Sequence, residues 1–173
     1  NIRGSTGYGL EHTAHVYGNF ANVLTDMFDS IEHLDSEGVI DKNNVCVYGG
    51  SYGGYAATQG PMMRPDLFKC ALSEAGLYDI NAQYSSGDIK MMRGGRKFLE
   101  DTFGDGEKAE DMSPINYAYK LKTPYMLIHG KKDVRTPYKE AEAFMKAMDK
   151  NGIKYEKMII EKETHGFSKE EHR

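Results

Sequence analysis

The 173-residue sequence predicts an α/β fold with a mainly parallel sheet, on three observations. Short apolar runs alternate with amphipathic helical stretches, the pattern of strands joined by helical crossovers. The first run ends in Gly49-Gly50-Ser51-Tyr52-Gly53, a tight turn followed by helical spacing. The third and fourth runs are followed by Asp133 and His165. In a parallel sheet the working loops lie at the carboxyl ends of the strands, so a serine, an aspartate and a histidine meet on one edge.

The elements follow in chain order. Val23, Met27, Ile31 and Leu34 share one helical face, and that helix ends near Gly38. Strands are expected at 44–48, 69–74, 124–129 and 157–161. The stretch 84–106 is glycine-rich and charged, and reads as a long connection with one short helix over 96–101. Ser113-Pro114 marks a helix start. A further helix buries Ala141, Phe144, Met145 and Met148, with Thr136 as N-cap, Pro137 in its first turn and Asn151-Gly152 as its stop.

Composition narrows the function. A net charge of −4 offers no basic face for nucleic acid and no polybasic membrane signal. No apolar run is long enough to span a bilayer, and neither a signal peptide nor a transit peptide is visible. A soluble chain is the expectation; the compartment stays open, with the cytoplasm favoured. Cys46 and Cys70 read as two small buried thiols rather than a disulfide framework. The pairs Met62-Met63 and Met91-Met92 read as fillers of apolar gaps. His12 and His15 have helical metal-ligand spacing without a third ligand, so no metal site is assigned. Gly49 to Gly54 lacks the Gly-Lys-Ser/Thr of a phosphate loop. No cofactor is called for.

Gly49-x-Ser51-x-Gly53 between a strand and a helix is a nucleophile elbow, in which a side chain at either glycine is expected to collide with its neighbours. The turn lifts the serine hydroxyl above the sheet, and the backbone N–H of Tyr52 is placed to stabilise an oxyanion. A serine hydroxyl needs a base, for which His165 is the candidate, oriented by Asp133. His129, at a strand end, is expected to pack beneath the site.

Several segments together resemble the prolyl oligopeptidase family of serine peptidases, especially its acylaminoacyl-peptidase branch. They are Asn1 to Gly9, Gly49 to Tyr55, Met112 to Asn116, His129 to Pro137 and Thr164 to Phe167. The resemblance implies a partial α/β-hydrolase catalytic domain over residues 1–173, with about four strands flanked by helices. It implies cleavage of short peptides through an acyl-enzyme on Ser51; a carboxylesterase and a catalytically incomplete fragment are the alternatives. By the same resemblance, Arg135 binds a substrate backbone carbonyl, and Leu77, Met91 and Phe98 line the pocket for the side chain before the cut. The family pattern also places earlier strands, a second oxyanion donor, a β-propeller and a final helix outside this sequence. The strand at 44–48 is then an exposed edge, and self-association through it is expected.

Overall fold

The computed structural model of the chain describes residues 1–104 and 106–167. Four strands form one parallel sheet in chain order: β1 (Cys46–Gly50), β2 (Cys70–Glu74), β3 (Tyr125–Gly130) and β4 (Glu156–Ile160). Each expected strand is present within two residues. The largest shift is in β1, which starts later because Asp41 engages the residues before it. Its carboxylate accepts from the Asn43 N–H (2.9 Å) and from the Asn44 side chain (2.6 Å), which coils 42–44 into a turn. At the other end the Ser51 N–H donates to the Glu74 carbonyl at 2.9 Å, so the ladder runs to the nucleophile itself.

Among the described residues seven α-helices accompany the sheet: α1 (Leu10–Ala14), α2 (Thr25–Ser36), α3 (Tyr52–Met63), α4 (Ile80–Ser85), α5 (Gly95–Phe103), α6 (Gly106–Asp111) and α7 (Tyr138–Lys150). Helix α3 packs on β1 and β2, and α7 against β3. Val23 and Ile31 of the expected face are buried and Met27 packs against the core, while Leu34 is 39% exposed and Leu24 and Phe28 widen the buried stripe. At Gly60 of α3 a Cβ would stand 2.8 Å from Met27 and 3.6 Å from Phe28, and the two helices meet at that point.

The expected long connection is more ordered than its glycine content suggests. Between the end of α4 and the start of α6 it holds a 3-10 turn at Ile89–Met91 and α5, the short helix expected there, whose Leu99 and Phe103 are buried in one cluster with Tyr55. Its glycines act as stops: Gly94 and Gly104 flank α5 with φ of +76° and +72°. The helix expected from Ser113-Pro114 is a 3-10 segment, Pro114–Lys120. Met62 is buried, but Met91 and Met92 are 81% and 47% exposed, so the second pair fills no gap.

The cysteines are a correction. Cys46 and Cys70 face each other in register on β1 and β2, with Cα atoms 4.7 Å apart, and form a disulfide. Cys46 is exposed and Cys70 half-buried, so neither is a core thiol. Alternation explains this: each cysteine is one residue from a more buried neighbour, Val47 or Ala71, so both fall on the less buried face of the sheet, and in-register strands bring their Cβ atoms within bonding reach. No strand pairs with the outer edge of β1 among the described residues, and Tyr48 on that strand is 65% exposed. Closing a loop of 24 residues by a disulfide stabilises by roughly 2–4 kcal/mol. Reduction, or the pair Cys46→Ser and Cys70→Ser, is expected to lower the melting temperature by several degrees; an unchanged melting curve after confirmed reduction contradicts the assignment.

Candidate active site

The nucleophile elbow is built on one close backbone approach. A Cβ at Gly49 would stand 2.5 Å from the carbonyl carbon and oxygen of Gly53, so the strand meets the helix only where residue 49 has no side chain. Gly53 itself differs from expectation, since a Cβ there would meet nothing within 4 Å. The second crowded position is Gly54, whose Cβ would stand 2.6 Å from the Glu74 carbonyl oxygen and 2.8 Å from the Gly76 Cα. The turn puts Ser51 at φ +57°, a costly conformation for a residue with a side chain. Ala75, at the end of β2, has φ +45°.

Ser51 Oγ lies 2.8 Å from His165 Nε2, and His165 Nδ1 lies 2.9 Å from Asp133 Oδ2. Gly130 brings the histidine loop in: a Cβ there would stand 2.4 Å from the Glu163 carbonyl oxygen. The N–H groups of Lys131 and Lys132 donate to the carbonyls of Ile160 and Glu163, which fixes the two loops against each other.

Asp133 is 4% exposed. Burial pushes its carboxyl up, but bonds from His165 and from the N–H and hydroxyl of Thr136 outweigh that and hold it below the usual carboxylate range. Its Oδ1 accepts from the N–H groups of Arg135 (2.8 Å) and Thr136 (2.9 Å), and its Oδ2 from the Thr136 hydroxyl (2.8 Å). Thr136 is therefore no helix cap, as the sequence suggests, but a clamp on the aspartate. An ionised carboxylate only accepts, so His165 carries its proton on Nδ1 and presents the bare Nε2 to Ser51. His129 packs below, fully buried. Its Nε2 donates to the Thr136 carbonyl at 2.8 Å, and burial lowers its pKa.

Tyr52 opens α3, so its N–H belongs to the helix's unsatisfied first turn, beside Ser51. Its ring stacks on Tyr55 and meets Phe20 edge-on. Burial pushes its phenol up to about 12.

A cavity of ≈ 220 Å³ opens on the serine. Its apolar walls are Phe20, Leu77, Ile89, Phe98 and Phe103, and Tyr52, Gln83, Arg135, Thr136 and His165 line it beside Ser51. Leu77 and Phe98 thus lie where expected, and Met91 does not: it points to solvent, and Ile89, two residues earlier on the same turn, takes its place. Arg135 lies at the cavity and contacts Asp88, Nε to Oδ1 at 2.6 Å, as an ion pair whose N–H is not aligned as a hydrogen bond. Among the groups that escaped sequence reasoning are Ile89, Gln83, Glu140 and the aromatic walls Phe20 and Phe103. Only Phe103, four residues after Leu99 on a helical period, left a readable trace. Among the described residues no group of three potential ligands stands ready for a metal, and His12 instead meets the Ile2 carbonyl at 3.0 Å. No helix among them is long and apolar enough to cross a membrane.

Glu140, on the first turn of α7, is 2% exposed and receives the Gln83 amide at 3.1 and 3.2 Å. Burial pushes its carboxyl up to about 8, against a partial offset from Gln83. The folded chain thus holds a proton that the unfolded chain releases near the usual carboxylate value. That contribution is complete below about pH 4.5 and is lost as the pH rises towards about 8. We expect Glu140→Gln to flatten the fall in stability between pH 5 and 9, by on the order of a few kcal/mol at the alkaline end. Parallel pH-dependent melting curves for the two proteins contradict this.

A profile of the prolyl oligopeptidase family matches residues 1–173. Dipeptidyl aminopeptidase BIII of Pseudoxanthomonas mexicana is 30% identical over 99% of this chain and 26% of its own length. The human acylamino-acid-releasing enzyme is 27% identical over 99% of this chain and 24% of its own. The acylaminoacyl peptidase of Pyrococcus horikoshii superposes with a TM-score of 0.87 at 30% identity, covering 97% of this chain and 28% of that one. The chain therefore spans about a quarter of the length of the relatives it matches.

Proposed function

We propose that this chain, which belongs to the prolyl oligopeptidase family, hydrolyses peptide bonds of short peptides through an acyl-enzyme on Ser51. The observation that carries the reading is the continuous contact from Ser51 Oγ through His165 to Asp133, at 2.8 and 2.9 Å. Ser51 Oγ attacks the peptide carbonyl while its proton passes to His165 Nε2. Asp133 stabilises the imidazolium, and the Tyr52 N–H donates to the developing oxyanion. Collapse transfers that proton to the leaving amine, and water then repeats the sequence to release the acid and restore Ser51.

Arg135 favours a peptide over a simple ester. Its guanidinium lies at the cavity with donors beyond the one facing Asp88, and a charge-assisted bond to a backbone carbonyl uses them. A related acylaminoacyl peptidase, 30% identical with a TM-score of 0.87, has been solved with Z-Gly-Gly-Phe-chloromethyl ketone. The apolar walls here suit a side chain of that kind. As for compartment, the Cys46–Cys70 disulfide favours an oxidising environment over the cytoplasm that the sequence suggests.

Peptide anilides and aryl esters assayed in parallel test the reading. Ser51→Ala is expected to remove on the order of a million-fold in turnover on both, and Arg135→Ala to cost about ten- to a hundred-fold on peptides with little change on esters. Peptide rates dwarfed by ester rates, with Arg135→Ala neutral, point to a carboxylesterase. No turnover of either points to a catalytically incomplete chain.

A further inference from the structure

The loop 87–89 lies against the aspartate loop at three points. A Cβ at Gly87 would stand 3.3 Å from the Arg135 carbonyl oxygen. The Asp88 N–H donates to the Val134 carbonyl at 3.1 Å, and Asp88 Oδ1 lies 2.6 Å from Arg135 Nε. Both atoms of that last contact are shielded from solvent, although their side chains are 31% and 35% exposed. Water therefore screens them less than it screens an open surface pair. The Nε–H is not aimed at the carboxylate, so charge rather than a hydrogen bond holds the two together. Arg135 lines the cavity beside Ser51, and Ile89, next to Asp88, is one of its apolar walls.

A long arginine side chain loses rotamer freedom when a substrate orders it, and a carboxylate that already holds it removes part of that cost before binding. The same carboxylate balances the guanidinium charge. An arginine paired in this way still donates to a neutral carbonyl but attracts a second anion less. We propose that Asp88 is a positioning residue for Arg135. It holds the guanidinium at the cavity and sets it to take a neutral backbone carbonyl in preference to an acidic group, on the acyl side of the scissile bond. This rests on the peptidase reading above for the role of Arg135, and on the Asp88 contact alone for the charge preference.

Acetyl- and succinyl-phenylalanine anilides test it, since both offer the carbonyl before the cleaved residue and only the second adds a carboxylate beside it. Asp88→Asn keeps the size of the side chain and removes its charge. It is expected to lower kcat/KM on the acetyl substrate about three- to tenfold, and to cost nothing further on that substrate in Arg135→Ala. It is also expected to raise the succinyl-to-acetyl ratio about three- to fivefold. A general loosening of the loop would lower both substrates alike and would persist without Arg135; either result overturns the proposal. Independently of turnover, an NMR titration with acetyl- and succinyl-phenylalaninamide should show the same shift in relative affinity on Asp88→Asn. A shifted affinity ratio without anilide cleavage supports the role of Asp88 and counts against the peptidase reading. Cleavage with both ratios unmoved overturns the role of Asp88 and leaves the peptidase reading standing.

Discussion

Where β1 becomes α3, the chain passes itself at a distance that no side chain at residue 49 could share, with a Cβ there falling 2.5 Å from the Gly53 backbone. This approach throws Ser51 into φ +57°, clear of the sheet, and starts α3 immediately beneath it. The strain has to be repaid, and packing repays it. Helix α3 is buried along nearly its whole length, and the Ser51 N–H bonds to β2, so the turn cannot relax without disrupting the core. Gly54 pressed against Gly76 then ties the elbow to the turn after β2. The Thr136 hydroxyl, 3.1 Å from the Ala75 carbonyl, ties that turn to the aspartate loop.

The electrostatics depend on that scaffold. Asp133 is nearly dry, and an unpaired charge there would be costly. Backbone and hydroxyl donors from Arg135 and Thr136, together with His165, keep it ionised. An anion at that point holds the His165 tautomer that leaves Nε2 bare for Ser51. A few residues away, at Glu140, burial without a cationic partner has the opposite result, and the carboxyl is pushed up to about 8. Two buried carboxyls on consecutive parts of one segment thus behave differently, because one meets several donors and the other chiefly the Gln83 amide.

Much of this was legible in the sequence. Alternating apolar runs located all four strands, and the turn residues after three of them located Ser51, Asp133 and His165. What escaped depended on contacts between segments distant in sequence. Thr136 carries the signature of a helix cap, and only the fold shows its one hydroxyl proton shared between Asp133, at 2.8 Å, and the more distant Ala75 carbonyl. Gly53 and Gly54 are indistinguishable as letters, yet only the second faces a neighbouring backbone. Cys46 and Cys70 pair because β1 and β2 run in register, which spacing alone does not fix. The family resemblance places Met91 in the pocket, but the 3-10 turn presents Ile89 inward and leaves Met91 in solvent.

The central claim is that backbone crowding at the elbow, rather than the glycine pattern as such, positions Ser51 for activation by His165. Rates of fluorophosphonate labelling at Ser51 test it most directly in Gly49→Ala and Gly53→Ala beside the wild type. The account predicts near-wild-type labelling for Gly53→Ala and labelling reduced by orders of magnitude for Gly49→Ala. Equal labelling of the two variants, whether both fast or both slow, would contradict it.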